Sequence, residues 1–189
     1  MRPEVSPENM DAYRPSFVGS ARTGMLCGLV GAWAVFGMML AVGGQLGLPP
    51  GTFYQMVGVS MGVEQEWPAI YLGFGLHMLT GAVIGLVYMV VSDRVALLRV
   101  DFSTPKAFAT GIATGIAVWG ILFIPLHFFA VQPTLQNLVA TSASDSMVNQ
   151  TAAKLLLMSN EILYGALAIH IAFGGILGFM ARIATSARG

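Results

Sequence analysis

Four long stretches of apolar residues, separated by polar segments, dominate the chain. They cover residues 23–46, 68–92, 107–129 and 162–183; the first three contain no Asp, Glu, Lys or Arg, and the fourth has only Arg182 near its end. About 20 helical residues cross the roughly 30 Å hydrocarbon core of a bilayer, and a backbone in lipid must satisfy its own hydrogen bonds. The pattern therefore predicts an all-α polytopic membrane protein with four transmembrane helices.

The composition agrees with a chain surrounded by lipid. Hydrophobic residues make up 56% of the 189 residues and charged residues 10%, whereas a typical soluble domain has about 25% charged residues. Mean hydropathy is +0.73. The formal net charge is zero, so no overall positive field favours nucleic acid as a partner. The single cysteine, Cys27, excludes an internal disulfide and a cysteine-rich zinc site.

The basic residues are distributed unevenly between the segments that flank the spans. Eight of the nine lie in the N-terminal tail, the segment between the second and third spans or the C-terminal end, and only Lys154 lies in another loop. Lys and Arg concentrate on the cytoplasmic side of a membrane. We therefore expect both termini in the cytoplasm and the chain in the plasma (inner) membrane. The N-terminal tail lacks the apolar core of a cleaved signal peptide.

These expectations divide the chain into five parts. They are a cytoplasmic tail (1–22), a first two-span unit (23–92), a cytoplasmic loop (93–106), a second two-span unit (107–183) with a long outer loop at 130–161, and a C-terminal tail (184–189). A proline follows each odd-numbered span, at Pro50 and at Pro133. Because proline is favoured in the first turn of a helix, we expect a short helix at the outer surface after each of them.

The two units repeat the same motifs. Both even-numbered spans fit Y-x5-H-x3-G-x3-G without a gap, and both odd-numbered spans fit T-G-x3-G. The matching residues are Tyr71, His77, Gly81 and Gly85 with Tyr164, His170, Gly174 and Gly178, and Thr23, Gly24 and Gly28 with Thr110, Gly111 and Gly115. Units of two spans have the same orientation in the membrane, so we interpret the pattern as two parallel repeats related by an axis along the membrane normal.

The repeated glycines are typical of helix packing in lipid. Residues four apart share a helix face, so each span carries a stripe of small residues. Small residues let two helix backbones approach closely, which compensates for the missing hydrophobic drive between helices in a bilayer. We therefore expect packing seams at Gly24, Gly28, Gly81, Gly85, Gly111, Gly115, Gly174 and Gly178.

The two repeated histidines allow two interpretations. His77 lies about 13 Å along its helix from Pro68, and the repeat places His170 at a similar depth. Each could be a neutral imidazole bonded to a neighbouring carbonyl or hydroxyl, with candidate hydroxyls at Thr23, Thr80, Thr110 and Thr114. Alternatively, both could bind the iron of one haem b as axial ligands, with the glycines leaving room for the macrocycle. Tight packing between the second and fourth spans would exclude a haem there.

The remaining residues suggest no catalytic or metal site. We expect His127, near the outer end of the third span, to lie at the membrane interface and outside any symmetric site.

The first functional hypothesis is a non-catalytic subunit that packs with other membrane subunits in a larger complex, such as a respiratory or other redox assembly. The second is a haem-binding electron carrier that uses His77 and His170. The third is a small transporter or channel component.

The pattern resembles a family of uncharacterised prokaryotic membrane proteins with four helices. In that family the even-numbered spans carry His followed by glycines four and eight residues later, and the third span carries a Trp and a late Pro, which are Trp119 and Pro125 here. The resemblance covers residues 23–183. It implies the four-helix fold and no particular activity.

Overall fold

The computed structural model describes residues 16–95, 98 and 104–186, and these residues form six helices. In chain order they are α1 (Phe17–Gln45), α2 (Thr52–Ser60), α3 (Glu66–Arg94), α4 (Thr104–Thr141), α5 (Met147–Leu157) and α6 (Ser159–Ser186). Four of them, α1, α3, α4 and α6, are long and apolar enough to cross a membrane. The described part of the chain has no β-strand. The prediction of an all-α protein with four candidate membrane spans is confirmed.

The bundle has two ends, which we name by what lies there. At the tail end α1 and α4 begin and α3 and α6 end; at the cap end lie α2 and α5. Residues 1–15 and 187–189 of the predicted tails, and residues 96–97 and 99–103 of the predicted loop, lie outside the described residues.

At the tail end all four long helices extend beyond the predicted spans, and α1 and α3 are two examples. α1 begins at Phe17 rather than at residue 23, because Ser16 caps it: the Ser16 hydroxyl accepts a hydrogen bond from the backbone N–H of Gly19 at 3.1 Å. Such a cap satisfies one of the N–H groups that a helix start leaves without a partner. α3 continues through Asp93 and Arg94, which lie in the predicted loop.

The four long helices form two pairs that are joined at the centre. α1 packs on α3 and α4 packs on α6, and α1 also packs on α6. The contact between α1 and α6 includes Cys27, Val35, Phe173 and Leu177, which share one buried apolar cluster with Met89 of α3. Each predicted two-span unit is therefore a helix pair, and the two pairs meet through α1 and α6.

α4 remains helical past Pro125, in the apolar region, and past Pro133, beyond it. Two π-helical turns, Trp119–Phe123 and His127–Val131, interrupt its α-helical hydrogen bonding. Pro125 and Pro133 each come two residues after the end of one of these turns. Proline supplies no N–H and its ring clashes with the carbonyl four residues earlier, and a wider turn before it relieves both problems. The expectation that Pro133 begins a separate helix is therefore wrong, since α4 is one helix of 38 residues.

α2 packs lengthwise along the cap-end part of α3. A Cβ built on Gly73 would overlap the backbone of Tyr54, and a Cβ built on Gly58 would overlap the backbone of Ala69. Residue numbers rise along α2 as they fall along α3, so the two helices run antiparallel. The short helix predicted after the first span is present, and its axis follows α3.

A second apolar cluster joins the segments of the cap end. Its buried members are Met56 of α2, Leu135 of α4, Ala152 and Leu155 of α5, and Leu48 from the connection before α2. The last part of α4 packs on α5. The segment predicted as a long loop at 130–161 is thus mostly helical, and it shares an apolar core with α2 and the connection before it.

Candidate functional site

The seam between α1 and α3 brings the two backbones into contact. A Cβ built on Gly28 would lie 3.0 Å from the Cα of Gly85 and would overlap the carbonyl oxygen of Gly81. A Cβ built on Gly85 would lie 2.7 Å from the Cα of Gly28, and Gly24 faces the Gly85 carbonyl. At these glycines the two backbones are too close for a side chain to fit between them. Glycine Cα–H groups therefore face carbonyl oxygens across the seam.

The seam between α4 and α6 repeats this arrangement. A Cβ built on Gly111 would lie 2.9 Å from the Cα of Gly178, and one built on Gly115 would lie 3.3 Å from the Cα of Gly174. Gly115 also faces the carbonyl oxygen of His170. All eight glycines singled out in the sequence lie at seams, and each seam joins the two spans of one half.

His77 belongs to the first helix pair. Its Nε2 lies 3.0 Å from the carbonyl oxygen of Ala32 on α1. Its ring packs edge-on against Tyr54 of α2, with the ring centroids 5.5 Å apart. This is the arrangement of an imidazole bonded to a carbonyl of a neighbouring helix, and the partner is a backbone group rather than a threonine hydroxyl.

His170 belongs to the second helix pair, with a different partner. Its Nδ1 lies 2.7 Å from the carbonyl oxygen of Ala166, one turn earlier on its own helix. Its ring centroid is 5.6 Å from that of Phe123 in the first π turn of α4. The repeat therefore preserves the residue type at this position and changes the hydrogen bond that the side chain makes.

The glycines beside the two histidines do not provide the space that one shared haem would need. The glycines that would make room for a macrocycle are in contact with the other span of their own half, Gly81 with Ala32 and Gly174 with Gly111. The ring of His77 packs against α2 and bonds to α1, whereas the ring of His170 packs against α4. Within the described ranges, no three His, Cys, Asp or Glu residues are grouped as a metal site.

A polar cluster at the cap end contains the third histidine. His127, in the second π turn, is 4% exposed, and its Nε2 lies 3.0 Å from the hydroxyl of Ser159 at the start of α6. The Gln132 side-chain amide donates to the same hydroxyl at 2.7 Å. Phe123 stacks on His127 with ring centroids 5.6 Å apart. These partners enclose His127 between α4 and α6, and the expectation that it lies at the depth of the membrane interface stays a prediction.

The spacing of His127 and Gln132 is a sequence signal for this cluster. His127 and Gln132 are five residues apart, and a π-helical turn brings residues at that spacing together. Their Nε2 atoms lie 3.4 Å apart. The nearby proline at 133 is the feature that favours the π turn.

Two further polar contacts lie at the tail end. The Ser20 hydroxyl on α1 donates to the carboxylate of Asp93 on α3, and both residues are buried. The Tyr88 hydroxyl on α3 lies 3.2 Å from the carbonyl oxygen of Ala107 and 2.9 Å from the hydroxyl of Thr110, both on α4. The first contact closes the α1–α3 seam, and the second links the two halves.

No protein-family model, curated protein or solved structure matches this chain. The resemblance to a four-helix membrane family stays a prediction. The contacts define an α-helical chain with four candidate membrane spans, arranged as two helix pairs that each meet at a glycine seam.

Proposed function

We propose that this chain is a non-catalytic subunit of a larger membrane assembly and that it contacts a partner subunit through a helical hairpin at the cap end. The hairpin consists of the last part of α4, Gln132–Thr141, and of α5, Met147–Leu157. The observation that carries the proposal is an exposed apolar tip on this hairpin.

The length of α4 supports a hairpin that extends beyond the bilayer. Its 38 residues correspond to about 57 Å of helix, whereas the hydrocarbon core is roughly 30 Å thick. The first half has only the nine-residue α2 at the corresponding place in the chain. The projecting hairpin is therefore a feature of the second half alone.

Hydrogen bonds fix the turn of the hairpin. Ser146 caps α5, with its hydroxyl accepting from the backbone N–H of Asn149 at 3.1 Å. The Asn149 side chain donates to the carbonyl oxygens of Val139 at 2.9 Å and Ser142 at 3.1 Å. Together with the buried Leu135 and Leu155 of the cap-end cluster, these bonds give the hairpin a defined shape before any partner binds.

The tip presents apolar side chains where the surrounding residues are polar. Met147 is 73% exposed and Val148 is 51% exposed, next to exposed Ser144 and Asp145. Exposed apolar groups rimmed by polar residues mark contact sites between proteins, and methionine is enriched at such sites. Docking of this tip on a partner subunit would explain why the hairpin is ordered and carries exposed apolar side chains at its end.

The test is native purification from the membranes of the source organism. We expect the tagged chain to purify with other subunits in a fixed ratio, and we expect a Met147→Glu, Val148→Glu variant to lose them while its own helical content stays unchanged. Gln136→Glu, at an exposed polar position on the same hairpin, is the matched control and should retain them.

Three results would contradict the proposal. The first is a chain that purifies alone in mild detergent. The second is a partner set that survives the double substitution at the tip. The third is a Soret band that disappears in both His77→Ala and His170→Ala, which would make the chain a haem carrier.

A further inference from the structure

The two glycine seams contain the same motif in registers that differ by one helical turn. In the first half, a Cβ built on Gly24 would overlap the carbonyl oxygen of Gly85. Gly111 is the repeat equivalent of Gly24. Gly178 is the equivalent of Gly85, so the same register would place Gly111 against the Gly178 carbonyl. A Cβ built on Gly111 instead overlaps the carbonyl oxygen of Gly174, four residues earlier on α6.

The same displacement is found at the next contact of the seam. Gly28 faces the carbonyl oxygen of Gly81 on α3. Its equivalent, Gly115, faces the carbonyl oxygen of His170, which takes the place of His77 in the repeat. Four residues correspond to about 6 Å of helix. Because residue numbers on α6 rise towards the tail end, α6 lies about 6 Å nearer that end on α4 than α3 does on α1.

This displacement accounts for the different hydrogen bonds of the two repeated histidines. His77 bonds to the carbonyl oxygen of Ala32 on α1. The equivalent carbonyl on α4 belongs to Trp119, and the displacement carries His170 one turn away from it. His170 bonds instead within its own helix, to the carbonyl oxygen of Ala166 at 2.7 Å.

Trp119 excludes the register of the first half near the middle of the seam. Its equivalent, Ala32, is fully buried, and a Cβ built on Gly81 would lie 2.6 Å from the Ala32 Cβ. An indole ring does not fit where a methyl group is already in contact. In the observed register the Trp119 Nε1 donates to the carbonyl oxygen of Leu163 on α6 at 3.2 Å, and the ring avoids the seam.

Arg182 excludes the same register at the tail end. Its equivalent, Met89, is 1% exposed, and a Cβ built on Gly24 would lie 2.7 Å from the Met89 Cβ. The register of the first half would place Arg182 in that buried position beside Gly111, where a charged side chain is costly. In the observed register Arg182 lies one turn beyond Gly178, the last glycine of the seam. Even there its Nε is buried, and no group in the described part of the chain hydrogen-bonds to it.

We propose that the pair of α4 and α6 has two packing registers one helical turn apart, and that Trp119 and Arg182 together hold it in the observed one. The backbone contact is available in both registers, because the glycines recur every four residues on each helix. The first half shows the second register with the same motif. Slides of one turn between packed elements are an established form of conformational change.

The rest of α6 is compatible with such a slide. Its side that faces α1 also has apolar residues every four positions, since Phe173, Leu177 and Ala181 are all buried. A slide to the other register would move Ser159 about 6 Å away from His127 and would open the polar cluster at the cap end. The register of the seam is thereby coupled to the start of α6. This proposal is independent of the docking hairpin.

The test compares the full-length wild-type chain with Trp119→Ala, Arg182→Met, which gives the second seam the residues of the first at both positions. Nuclear Overhauser effects between glycine Hα protons in micelles report the register. We expect a cross-peak between Gly111 and Gly178 in the wild-type chain. In the double variant a cross-peak between Gly115 and Gly178 should replace it.

The imidazole rings give a second readout. A ring nitrogen that faces a carbonyl oxygen must carry the proton, so the proton lies on Nδ1 in His170 and on Nε2 in His77. Nitrogen-15 chemical shifts distinguish the two forms. In the double variant His170 should change to the form of His77, which is the reference within the same spectrum.

A conservative variant is the matched control. Trp119→Phe, Arg182→Lys keeps an aromatic ring and a positive charge, and should retain the wild-type register by both readouts. Trp119→Ala, Arg182→Leu repeats the test if the first double variant does not fold. Retention of the cross-peak between Gly111 and Gly178 in the double variant would overturn the proposal. Its loss in the conservative variant, or its absence from the wild-type chain, would do the same.

Discussion

The substitution Gly28→Ala adds one methyl group to the seam between α1 and α3. That methyl group would overlap the carbonyl oxygen of Gly81 and lie 3.0 Å from the Cα of Gly85. Both obstacles are backbone atoms, which cannot rotate away as a flexible side chain can. The two helices must therefore separate along the seam, and the Cα–H contacts to carbonyl oxygens weaken with them.

The expected cost follows from a comparison with a second glycine of the same helix. Gly37 is exposed, and a Cβ built on it would meet nothing within 4 Å. Both Gly→Ala substitutions gain the same helix propensity, so this gain cancels in the difference between them. Overpacking a close contact costs about 1–3 kcal/mol, and we expect Gly28→Ala to be less stable than Gly37→Ala by that amount.

The assay is equilibrium unfolding in mixed detergent micelles with increasing sodium dodecyl sulfate, followed by the helical circular dichroism signal. Gly115→Ala and Gly165→Ala repeat the comparison in the second half, because Gly115 lies in the seam and Gly165 faces open space. Equal stability of the seam variants and of the variants at Gly37 and Gly165, within about 0.5 kcal/mol, would refute the conclusion that backbone contact at the seam glycines holds the pairs together.

Two other predictions concern the cap end and the orientation of the chain. Ser159→Ala removes the hydroxyl that contacts His127 and Gln132. Because leaving a buried polar group without a partner costs about 1–3 kcal/mol, we expect the thermal midpoint of unfolding in detergent to fall. Ser144→Ala, at an exposed position, is the control and should not change the midpoint. If the basic segments are cytoplasmic, a fluorescent protein fused after Gly189 should fluoresce. An alkaline phosphatase fused within residues 142–146 should then be active on the outer side. The reverse pattern of activity would contradict this orientation.

Hydropathy predicted the four spans because each of α1, α3, α4 and α6 is long and apolar enough to cross a membrane. It did not predict where α1 begins, since the turn before residue 23 contains Ser20 and Arg22 and is polar. That turn is stabilised by the Ser16 cap and by the contact of Ser20 with Asp93. The second of these contacts depends on α3, which is distant in the sequence.

The glycine motifs indicated that helices approach closely, and they did not indicate which helices. Gly81 and Gly174 have the same sequence context, but a small-residue stripe contains no information about its partner. In the structure each stripe packs on the odd-numbered span of its own half. The haem hypothesis depended on the opposite choice, in which the stripes of α3 and α6 face a common centre.

The sequence pattern also did not predict that α4 continues as a helix past Pro125 and Pro133. A proline ends or kinks most helices, and its tolerance here depends on two π turns. The second π turn contains His127, which contacts Ser159 on another helix, so a tertiary contact accompanies the local distortion. The same contact helps to bury His127.

The pairing of α1 with α3 and of α4 with α6 is tested most directly by nuclear Overhauser effects between glycine Hα protons, measured on glycine-labelled protein in micelles without any substitution. We expect cross-peaks between Gly28 and Gly85 and between Gly111 and Gly178. Cross-peaks between Gly85 and Gly178, with none inside either half, would contradict the pairing.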